Sequence, residues 1–460
     1  MSARIWLVLS DPFPTRVFFD CGIVDGLRQR LGQRLEAIFV LPQDQVAGWA
    51  SRLGDTRVTY RQELFPWQVK PIERVVRRTD AWLDRQAGFY PLAVRHSLQH
   101  GFHRDRWRPG HRNWFLDPTR SGPLPGMELL DRVMTKWHYS PRRYVSSALV
   151  ARMRRECGGL VLSNLQAKGS VPFLLAARRL RLPVVGYVAS WDHTVGKGIV
   201  SPYVHRYVVQ NETMLDDLRR YHGIEPNKIA VTGWPQTDIF SARRPRERYE
   251  ALLAQLGLDT SRPVVLYAGN TPTNAPYEGN LVHRLVDWWQ TSGARARFSL
   301  LFRPHPRDDD VAGRYAAAGQ EGAAVQQPSY TDIEDLATLL QHVDCVAANA
   351  GTILLDALVN DRPAVCVTFD EGAPPGERWA ELNLGGEHYR KLAQSAAFYR
   401  ADSFDELAEG IRRALAAPQE LAAERRRVAR EVVGEVDGHA AERVADAVAG
   451  ALDRDRPVLR

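Results

Sequence analysis

The sequence contains little cysteine and no long apolar run. Its 460 residues include only four cysteines, which lie far apart and match neither a disulfide framework nor a metal-ligand spacing. No stretch of about 18 apolar residues occurs, so a transmembrane helix is not predicted. The short apolar run before Asp11 lacks the length and the cleavage site of a signal peptide. These absences together predict a cytoplasmic protein.

The signatures of several enzyme classes are also missing. The sequence has no G-x-x-x-x-G-K-S/T, G-x-G-x-x-G, G-x-S-x-G or H-E-x-x-H motif, which argues against kinases, dinucleotide enzymes, hydrolases and zinc proteases. Three adjacent acids at residues 308–310 are more typical of a solvated turn than of a metal site. We therefore expect neither a metal nor a cofactor.

Lysine is scarce as well, and positive charge is concentrated in one stretch. Only six of the 61 basic residues are lysine, and residues 61–160 hold 19 basic against 9 acidic side chains. The same stretch contains five of the twelve tryptophans. A basic surface with interleaved aromatics suits an anionic membrane or a phosphorylated acceptor, whereas no helix-turn-helix, zinc-finger or RNP pattern indicates nucleic acid. The alternative is a solvated helical face whose aromatic side chains belong to the core.

Strand patterns alternate with helix patterns along both halves of the chain. The alternation is interrupted at about 61–155 by a helical, basic insertion, and an Arg- and Pro-rich segment at 241–248 predicts a linker. The predicted fold class is therefore α/β, with two Rossmann-like doubly wound domains that face a central cleft. The predicted boundaries are 1–242 for an acceptor-side domain, 262–430 for a donor-binding domain and 431–460 for a polar helical tail.

The strongest local signal is the segment Asn349-Ala350-Gly351-Thr352, which joins an apolar strand to an apolar helix. Small residues turn the chain there, and the first backbone N–H groups of a helix are suited to bind a diphosphate. The Thr352 hydroxyl would add a donor, and Asp356 lies one helical turn later, where it could reach ribose hydroxyls. The alternative is an ordinary turn in which Thr352 caps the helix.

A second signal follows an earlier strand of the same half. The segment Arg303-Pro304-His305-Pro306 fixes a histidine between two prolines at the carboxyl end of a predicted strand. An imidazole at that edge could bind a phosphate or share a proton, and Arg303 would add a positive charge. The alternative is a turn in which His305 caps a helix.

Two more loops of this half are candidates for the same ligand. Gly269, Asn270 and Thr271 follow the preceding strand and offer backbone donors for phosphate oxygens. Asp370 and Glu371 follow a later strand, where an acid pair fits either a substrate loop or a simple turn.

The first half carries one comparable signal, in the segment 189–198. A strand delivers Asp192 and His193 side by side into a glycine-containing loop. Asp192 could remove a proton from an acceptor hydroxyl, with His193 as the other candidate base. Asp11 and Arg16, in the loop after the first strand, are further candidates for the base and for contact with the acceptor. Adjacent Asp and His residues on a loop also occur for purely structural reasons.

Taken in order, these motifs resemble the GT-B glycosyltransferases, particularly bacterial surface-polysaccharide transferases, and the related CDP-glycerol glycerophosphotransferases. Residues 221–238 are similar to the passage that closes the N-terminal domain of that fold. Residues 349–356 resemble its donor-phosphate and ribose element, and residues 303–306 its R-x-H-P segment. The segment 191–197 is similar to the W-H-G-T-x-x-K segment of the glycerophosphotransferases, whose histidine is the proposed base. Asp192 stands at the position of that histidine.

The resemblance covers about residues 1–60 and 155–415 and implies a function. It implies transfer of a sugar from a UDP-, GDP-, CMP- or CDP-linked donor to a glycan or lipid-linked acceptor in surface-polysaccharide or glycolipid assembly, without a metal. Asp192 as base would give inversion at the sugar carbon. The leaving diphosphate would be stabilised at Gly351 and Thr352, with His305 assisting.

Other functions stay open at this point. Transfer of a polyol phosphate from a CDP-linked donor is one alternative, and sugar-nucleotide epimerisation on the same two-domain fold is another. A non-catalytic scaffold that binds nucleotide or membrane is a third. A membrane-held acceptor would place the protein on the inner face of the membrane, through residues 61–155.

Overall fold

The computed structural model describes two parts of the chain that are separately compact. The first unit contains the described residues up to Asp238 and those from Asp437 onward, and the second is Ile239–Val436. Most of the predicted basic insertion lies outside the described residues, together with its proposed membrane contact. The residues described are 4–41, 43–53, 59–62, 145–167, 169–196, 200–320, 323–327 and 332–454.

The first unit is built around a parallel sheet. In chain order its elements before the linker are β1 (Arg4–Leu9), α1 (Pro12–Asp20), α2 (Ile23–Leu31), β2 (Leu35–Phe39), α3 (Gln43–Leu53), β3 (Thr59–Gln62), α4 (Ser147–Glu156), β4 (Cys157–Leu162), α5 (Val171–Leu180), β5 (Val184–Tyr187), α6 (His193–Gly196), β6 (Arg206–Val209), α7 (Glu212–His222) and β7 (Ile229–Val231). Within the described residues the sheet has seven strands in the order β3-β2-β1-β4-β5-β6-β7. The strand order reverses between β1 and β4, the place where doubly wound sheets bind ligands.

Strand β1 illustrates how the sequence produces this sheet. Leu7 and Leu9 are fully buried, because a parallel strand covered by helices on both faces buries both of its sides. The apolar run ends at Leu9, and Asp11 follows with an extended backbone. Its carboxylate accepts the amide of Phe13 at 3.0 Å and so caps helix α1. Polar side chains therefore begin where the strand ends, at the carboxyl edge of the sheet.

The second unit repeats the design. Its elements are α8 (Arg246–Gln255), β8 (Val264–Ala268), α9 (Glu278–Thr291), β9 (Ser299–Arg303), α10 (Val311–Arg314), α11 (Ala316–Gln320), β10 (Ala324–Val325), α12 (Ile333–His342), β11 (Cys345–Asn349), α13 (Thr352–Val359), β12 (Ala364–Val367), α14 (Trp379–Leu384), α15 (Arg390–Ala393), β13 (Tyr399–Ala401), α16 (Phe404–Ala416) and α17 (Ala422–Val432). Its parallel strands, as far as they are described, run in the order β10-β9-β8-β11-β12-β13, with the reversal between β8 and β11.

A last helix returns to the first unit. Helix α18 (Ala440–Arg454) places Val444 and Val448 in the core of that unit, where both are fully buried. It packs on α2 so closely that a Cβ added to Gly26 would lie 2.9 Å from the Cβ of Ala445. The sequence analysis predicts residues 431–460 only as a polar helical tail, whereas one face of α18 is part of a hydrophobic core.

The two sheets confirm the predicted α/β class with two Rossmann-like domains. None of the helices described is both long and apolar enough to cross a membrane.

Candidate functional site

Polar loops follow three neighbouring strands of the second unit, β8, β9 and β11. They carry Asn270, His305 and Asn349, the last of which is the final residue of its strand. Because the strands are parallel, the three loops lie at one edge of the sheet, beside the reversal of strand order. The sequence-predicted donor residues are therefore brought together on this edge.

Helix α13 begins at this edge without a side-chain cap. Gly351 is the residue before the helix, and no side chain of the described residues caps its first turn. Thr352 is the first helical residue and is exposed, so it is not the capping residue that the alternative interpretation requires. Ala350 is buried in the turn, and Asp356 lies half-buried one turn into the helix. The first amides of α13 therefore keep the orientation that binds an anion.

Asn349 fixes the turn that leads to this helix. Its amide nitrogen donates to the backbone carbonyls of Val367, at 2.8 Å, and Ala380, at 3.3 Å. Its carbonyl oxygen accepts from the side-chain amides of Asn270 and Asn383. The side chain is buried and joins strands β11 and β12 to helix α14 and the β8 loop. Asn349 thus positions the phosphate-binding turn and is not itself exposed to a ligand.

The backbone amides of the loop after β8 are predicted to bind phosphate, but they form hydrogen bonds within the protein. The amide of Gly269 donates to the carbonyl of Arg303, and the amide of Thr271 donates to the side chain of Asn270. The amide of Asn270 donates to the carboxylate of Glu278 at 3.0 Å. The expectation that these amides bind phosphate oxygens is therefore corrected, because all three already have acceptors within the protein.

The guanidinium of Arg303 likewise has hydrogen-bond partners within the protein. Its guanidinium forms two hydrogen bonds to the carboxylate of Asp332, at 2.9 and 3.0 Å, and a third to Gln326. The side chain is only 7% exposed. This corrects the prediction that Arg303 offers a positive charge to the donor, because Asp332 neutralises it.

His305 remains a candidate ligand of the donor. Its ring is half-buried, and Nδ1 accepts the amide of Arg307 at 3.0 Å. A neutral imidazole whose Nδ1 is an acceptor carries its proton on Nε2, so Nε2 is the atom that can donate to a phosphate oxygen.

A buried ionic cluster lies behind these loops, and no motif in the sequence predicts it. Glu278 accepts hydrogen bonds from the phenols of Tyr267 and Tyr315, each at 3.1 Å, and from the guanidinium of Arg314 at 2.6 Å. Arg314 also pairs with Asp308, one of the three adjacent acids. Burial raises the pKa of Glu278 to about 7, and the positive charge of Arg314 acts against that shift. The one sequence feature that points to this cluster is Glu278 at the start of helix α9. An acidic residue there normally indicates only a favourable contact with the helix dipole.

The same cluster explains the glycine at position 269. A Cβ added there would lie 1.9 Å from the hydroxyl oxygen of Tyr315. The absence of a side chain at Gly269 therefore lets Tyr315 reach Glu278.

Two of the three acids at 308–310 have structural partners. Asp310 caps helix α10 by accepting the amide of Gly313 at 3.2 Å, and Asp308 is held by Arg314. Among the residues that the structure describes, no group of three or more His, Cys, Asp or Glu side chains is placed to hold a metal ion.

A small pocket opens beside the cluster in the second unit. Asp370 uses its carboxylate to accept the amide of Ala380 at 2.9 Å, while Glu371 forms a salt bridge with Arg284 at 2.7 Å. Both acids therefore anchor the loop after β12. The pocket is lined by Tyr267, Ala275, Tyr277, Glu278, Leu281, Asn349, Val367, Phe369, Asp370, Glu371 and Ala380.

The first unit places Asp192 in the turn after β5 and His193 at the start of helix α6. Both side chains are half-buried, and the turn is anchored from helix α7. The hydroxyl of Thr194 donates to Asp217 at 2.8 Å, and His222 contacts the carbonyl of Thr194 at 2.6 Å. Burial lowers the pKa of His222 to about 4, so its ring is neutral at pH 7 and donates a hydrogen bond to that carbonyl.

A chain of hydrogen bonds joins this turn to the loop after β1. The amide of Asn164 donates to Asp11 at 3.3 Å, and its carbonyl accepts the backbone amide of Gln166 at 3.2 Å. The side chain of Gln166 then donates to the carbonyl of His193 at 3.0 Å. Asp11, Asp192 and His193 therefore belong to one carboxyl edge of the first sheet. Arg16 lies in the first helix, with its guanidinium 5.7 Å from the ring centre of Phe13.

Residues 200–450 match the family model described as CDP-Glycerol:Poly(glycerophosphate) glycerophosphotransferase. The match covers more than half of the chain and includes the whole candidate donor site. No curated protein matches the sequence significantly.

Solved structures share the fold at low sequence identity. A glycosyltransferase from Rickettsia africae ESF-5 is 11% identical, with a TM-score of 0.52 and coverage of 99% of this chain and 100% of that one. A UDP-GlcNAc 2-epimerase from Neisseria meningitidis, bound to UDP-GlcNAc, is 10% identical, with a TM-score of 0.52 over 97% and 100%. Alr3699/HepE from Anabaena, in complex with UDP and glucose, is 12% identical, with a TM-score of 0.50 over 97% and 100%. These likenesses confirm the predicted GT-B fold.

Proposed function

The chain belongs to the CDP-glycerol:poly(glycerophosphate) glycerophosphotransferase family, and on that premise we propose that it transfers a polyol phosphate from a CDP-linked donor to an acceptor hydroxyl. The family and the GT-B fold together make the protein a nucleotide-linked transferase. The observation that carries the finer proposal is the family match over residues 200–450, which contain the uncapped helix start at Gly351 and Thr352. The likeness to solved structures supports the fold alone.

The donor is assigned to the carboxyl edge of the second sheet. The first amides of α13 and the hydroxyl of Thr352 would hold the diphosphate, as helix starts do for phosphates generally. Asp356, one turn further along, would accept hydrogen bonds from the ribose. His305 would donate from Nε2 to a phosphate oxygen and stabilise the charge that develops on the leaving group. The proposal includes neither a metal nor a cofactor in this step.

The transfer is a substitution at phosphorus. The acceptor hydroxyl oxygen attacks the phosphorus that bears the polyol, and the bond from that phosphorus to the bridging oxygen breaks. CMP leaves with the bridging oxygen, and the acceptor proton passes to a base. Asp192 is the proposed base, since its carboxylate stands where the family resemblance places a histidine. His193 and Asp11 share its edge of the sheet and are the next candidates.

Sugar transfer is the second candidate, and the identity of residue 192 favours it. Asp192 departs from the histidine of the glycerophosphotransferase segment, and a carboxylate base also fits attack on a sugar carbon. In that reaction the bond between the anomeric carbon and the phosphate oxygen breaks, so a nucleoside diphosphate leaves. In-line attack with Asp192 as base would invert the configuration of that carbon.

The nucleotide that leaves distinguishes the candidates. The full-length protein would be incubated with CDP-glycerol, UDP-GlcNAc or UDP-glucose and a hydroxyl-ended glycerol phosphate oligomer or glycan, and the nucleotides separated by chromatography. Release of CMP from CDP-glycerol is the expected result. Release of UDP from a UDP-sugar would replace the proposal by sugar transfer. Isomerisation of UDP-GlcNAc would indicate an epimerase, and no conversion of any donor would indicate a scaffold.

The acceptor is proposed to be a glycan or a lipid-linked polymer of surface-polysaccharide or glycolipid assembly. Such acceptors are held at the inner face of a membrane, and the positive charge of residues 61–155 suits an anionic leaflet.

A further inference from the structure

Arg314 joins the two loops that follow β8 and β9. Its Nη1 donates to the carbonyl of Asn270 at 3.1 Å and to the carboxylate of Asp308. Asp308 belongs to the turn of His305, because the amide of Asp308 donates to the carbonyl of His305 at 2.8 Å. Its Nη2 donates to Glu278, whose carboxylate holds the amide of Asn270. One buried ion pair, Glu278–Arg314, therefore sets both loops of the candidate donor site.

The cluster contains one more negative than positive charge when its two carboxylates and its guanidinium are ionised and its phenols are neutral. Glu278 and Asp308 supply two carboxylates, and Arg314 supplies the guanidinium between them. The three side chains are at most 8% exposed, so water does little to screen the excess charge. Nε of Arg314 has no hydrogen-bond partner among the described residues, so the guanidinium gains no further acceptor there.

Glu278 is the group of this cluster whose protonation can change near neutral pH when a ligand binds. It is 4% exposed, and burial has already raised its pKa to about 7. The groups that face it are the phenols of Tyr267 and Tyr315, the amide of Asn270 and the guanidinium of Arg314. Asp370 and Glu371 line the same pocket, where Asp370 accepts the amide of Ala380 and Glu371 is paired with Arg284.

We propose that Glu278 is a positioning residue of the donor site and that it takes up a proton when the negatively charged diphosphate of the donor binds. This inference rests on the proposed function, since it requires a diphosphate beside the loops at Asn270 and His305. Two phosphate charges brought close to the excess negative charge disfavour the ionised carboxylate. Protonation removes that repulsion, while the second oxygen of the carboxyl group still accepts the amide of Asn270.

The consequence is a coupling between proton and donor. Because the bound donor raises the pKa of Glu278 further, donor affinity weakens as pH rises through 7 and above. A rise of about one pKa unit corresponds to a dissociation constant about tenfold larger at high pH than at low pH. At pH 8 such a shift takes up about 0.4 of a proton for each donor bound.

Calorimetry of CDP-glycerol binding to the full-length protein measures this uptake. Each phosphorus of CDP-glycerol carries one ester bond, one anhydride bond and a single strongly acidic oxygen, so the ligand itself does not titrate near neutral pH. Titrations at pH 8 in HEPES and in Tris, neither of which offers a competing phosphate, give the protons taken up, from the dependence of the heat on the buffer. We expect net uptake in the wild type and a loss of most of it in Glu278→Gln, while Glu409→Gln, an exposed acid paired with Arg412, should match the wild type.

The difference between wild type and Glu278→Gln separates Glu278 from His305, which is the other group near the phosphates able to gain a proton. A second variant guards against misfolding of the first. Tyr315→Phe removes one hydrogen bond to the ionised carboxylate, so the pH of maximal uptake should shift upward without loss of the fold.

The outcomes separate this inference from the proposed function. Binding of CDP-glycerol with equal proton uptake in wild type and Glu278→Gln overturns the role of Glu278 and leaves the donor assignment intact. Binding of UDP-GlcNAc but not CDP-glycerol, with uptake that depends on Glu278, overturns the donor class and keeps the role of Glu278. If neither diphosphodiester binds at millimolar concentration, both are overturned.

Discussion

The carboxylate of Asp238 accepts the backbone amide of Ala441 at 2.9 Å, across 203 positions of the sequence. The amide of Ala440 donates to the other oxygen at 3.1 Å. Asp238 ends the first passage of the chain through the first unit, and Ala440 begins helix α18. One side chain thus caps the helix that returns to its own unit.

Removing this cap should destabilise the first unit. Asp238→Ala leaves two amides at the start of α18 without their acceptor, and loss of a cap costs about 1 kcal/mol. Urea unfolding of the full-length protein, followed by circular dichroism, measures the change in the free energy of unfolding. Asp216→Ala, which removes only an exposed ion pair with Arg219, should change it by less than half as much. Equal effects of the two substitutions would contradict the capping role.

Glu278 should make stability depend on pH. Its pKa is about 7 in the folded protein, against about 4.3 for an unperturbed glutamate, so the folded state binds more protons between these values. The free energy of unfolding therefore falls as pH rises from about 4.5 to 7 and levels off above, with a slope of at most about 1.4 kcal/mol per unit from this site. In thermal melts, the melting temperature of Glu278→Gln should rise relative to that of the wild type as pH rises from 5 to 7.5. A melting-temperature difference that is constant with pH would show that Glu278 titrates normally.

Thr352 should contribute directly to donor affinity. Thr352→Val keeps the shape of the side chain and removes one hydrogen bond to a charged phosphate, a loss of about 1.5–3 kcal/mol. Donor binding, measured by calorimetry, should weaken accordingly. Thr291→Val removes an exposed hydroxyl at the end of α9 and serves as the control. Unchanged donor affinity in Thr352→Val would show that the diphosphate does not bind at the start of α13.

Asp192 should affect turnover and leave donor binding unchanged. Asp192→Asn preserves the size of the side chain and deletes the basic oxygen, so kcat should fall by about 10²–10⁴ while the donor dissociation constant stays constant. Asp25→Asn, an exposed acid of the same unit, should retain wild-type kcat. Full activity of the Asp192→Asn protein would transfer the role of base to His193 or Asp11.

The basic stretch at 61–155 should bind anionic lipid. Attraction of about 1 kcal/mol for each basic residue near the surface predicts co-sedimentation with vesicles that contain phosphatidylserine, and much less with neutral vesicles. Because the attraction is electrostatic, it should weaken at high salt. Replacing Arg104, Arg106 and Arg108 by Ala should reduce the bound fraction, with Arg426→Ala, which lies outside this stretch of the sequence, as the control. Equal sedimentation with both kinds of vesicle would contradict the proposed binding of residues 61–155 to an anionic membrane.

Much of the architecture could be predicted because local patterns determine it. The apolar run ending at Leu9 and the small-residue turn at Gly351 each specify a strand end, and parallel strands place such ends at one edge. The candidate turn at Asp192 was located for the same reason.

The partners of buried charges could not be predicted in this way. Arg314 and Glu278 are 36 positions apart, and each resembles an ordinary helix-surface charge in the sequence. Arg303 likewise showed no sign that Asp332, 29 positions later, would neutralise it. Such pairs are decided by tertiary packing, which also turns the polar segment at α18 into part of a core.

The return of α18 also sets an order on folding during synthesis. Domains usually fold in the order in which they leave the ribosome. Here the first unit lacks one wall of its core until residues 440–454 have been made, whereas Ile239–Val436 is already complete. We therefore expect the unit that is translated first to finish folding last, because the apolar face of α2 stays uncovered until a helix more than four hundred residues away has been made.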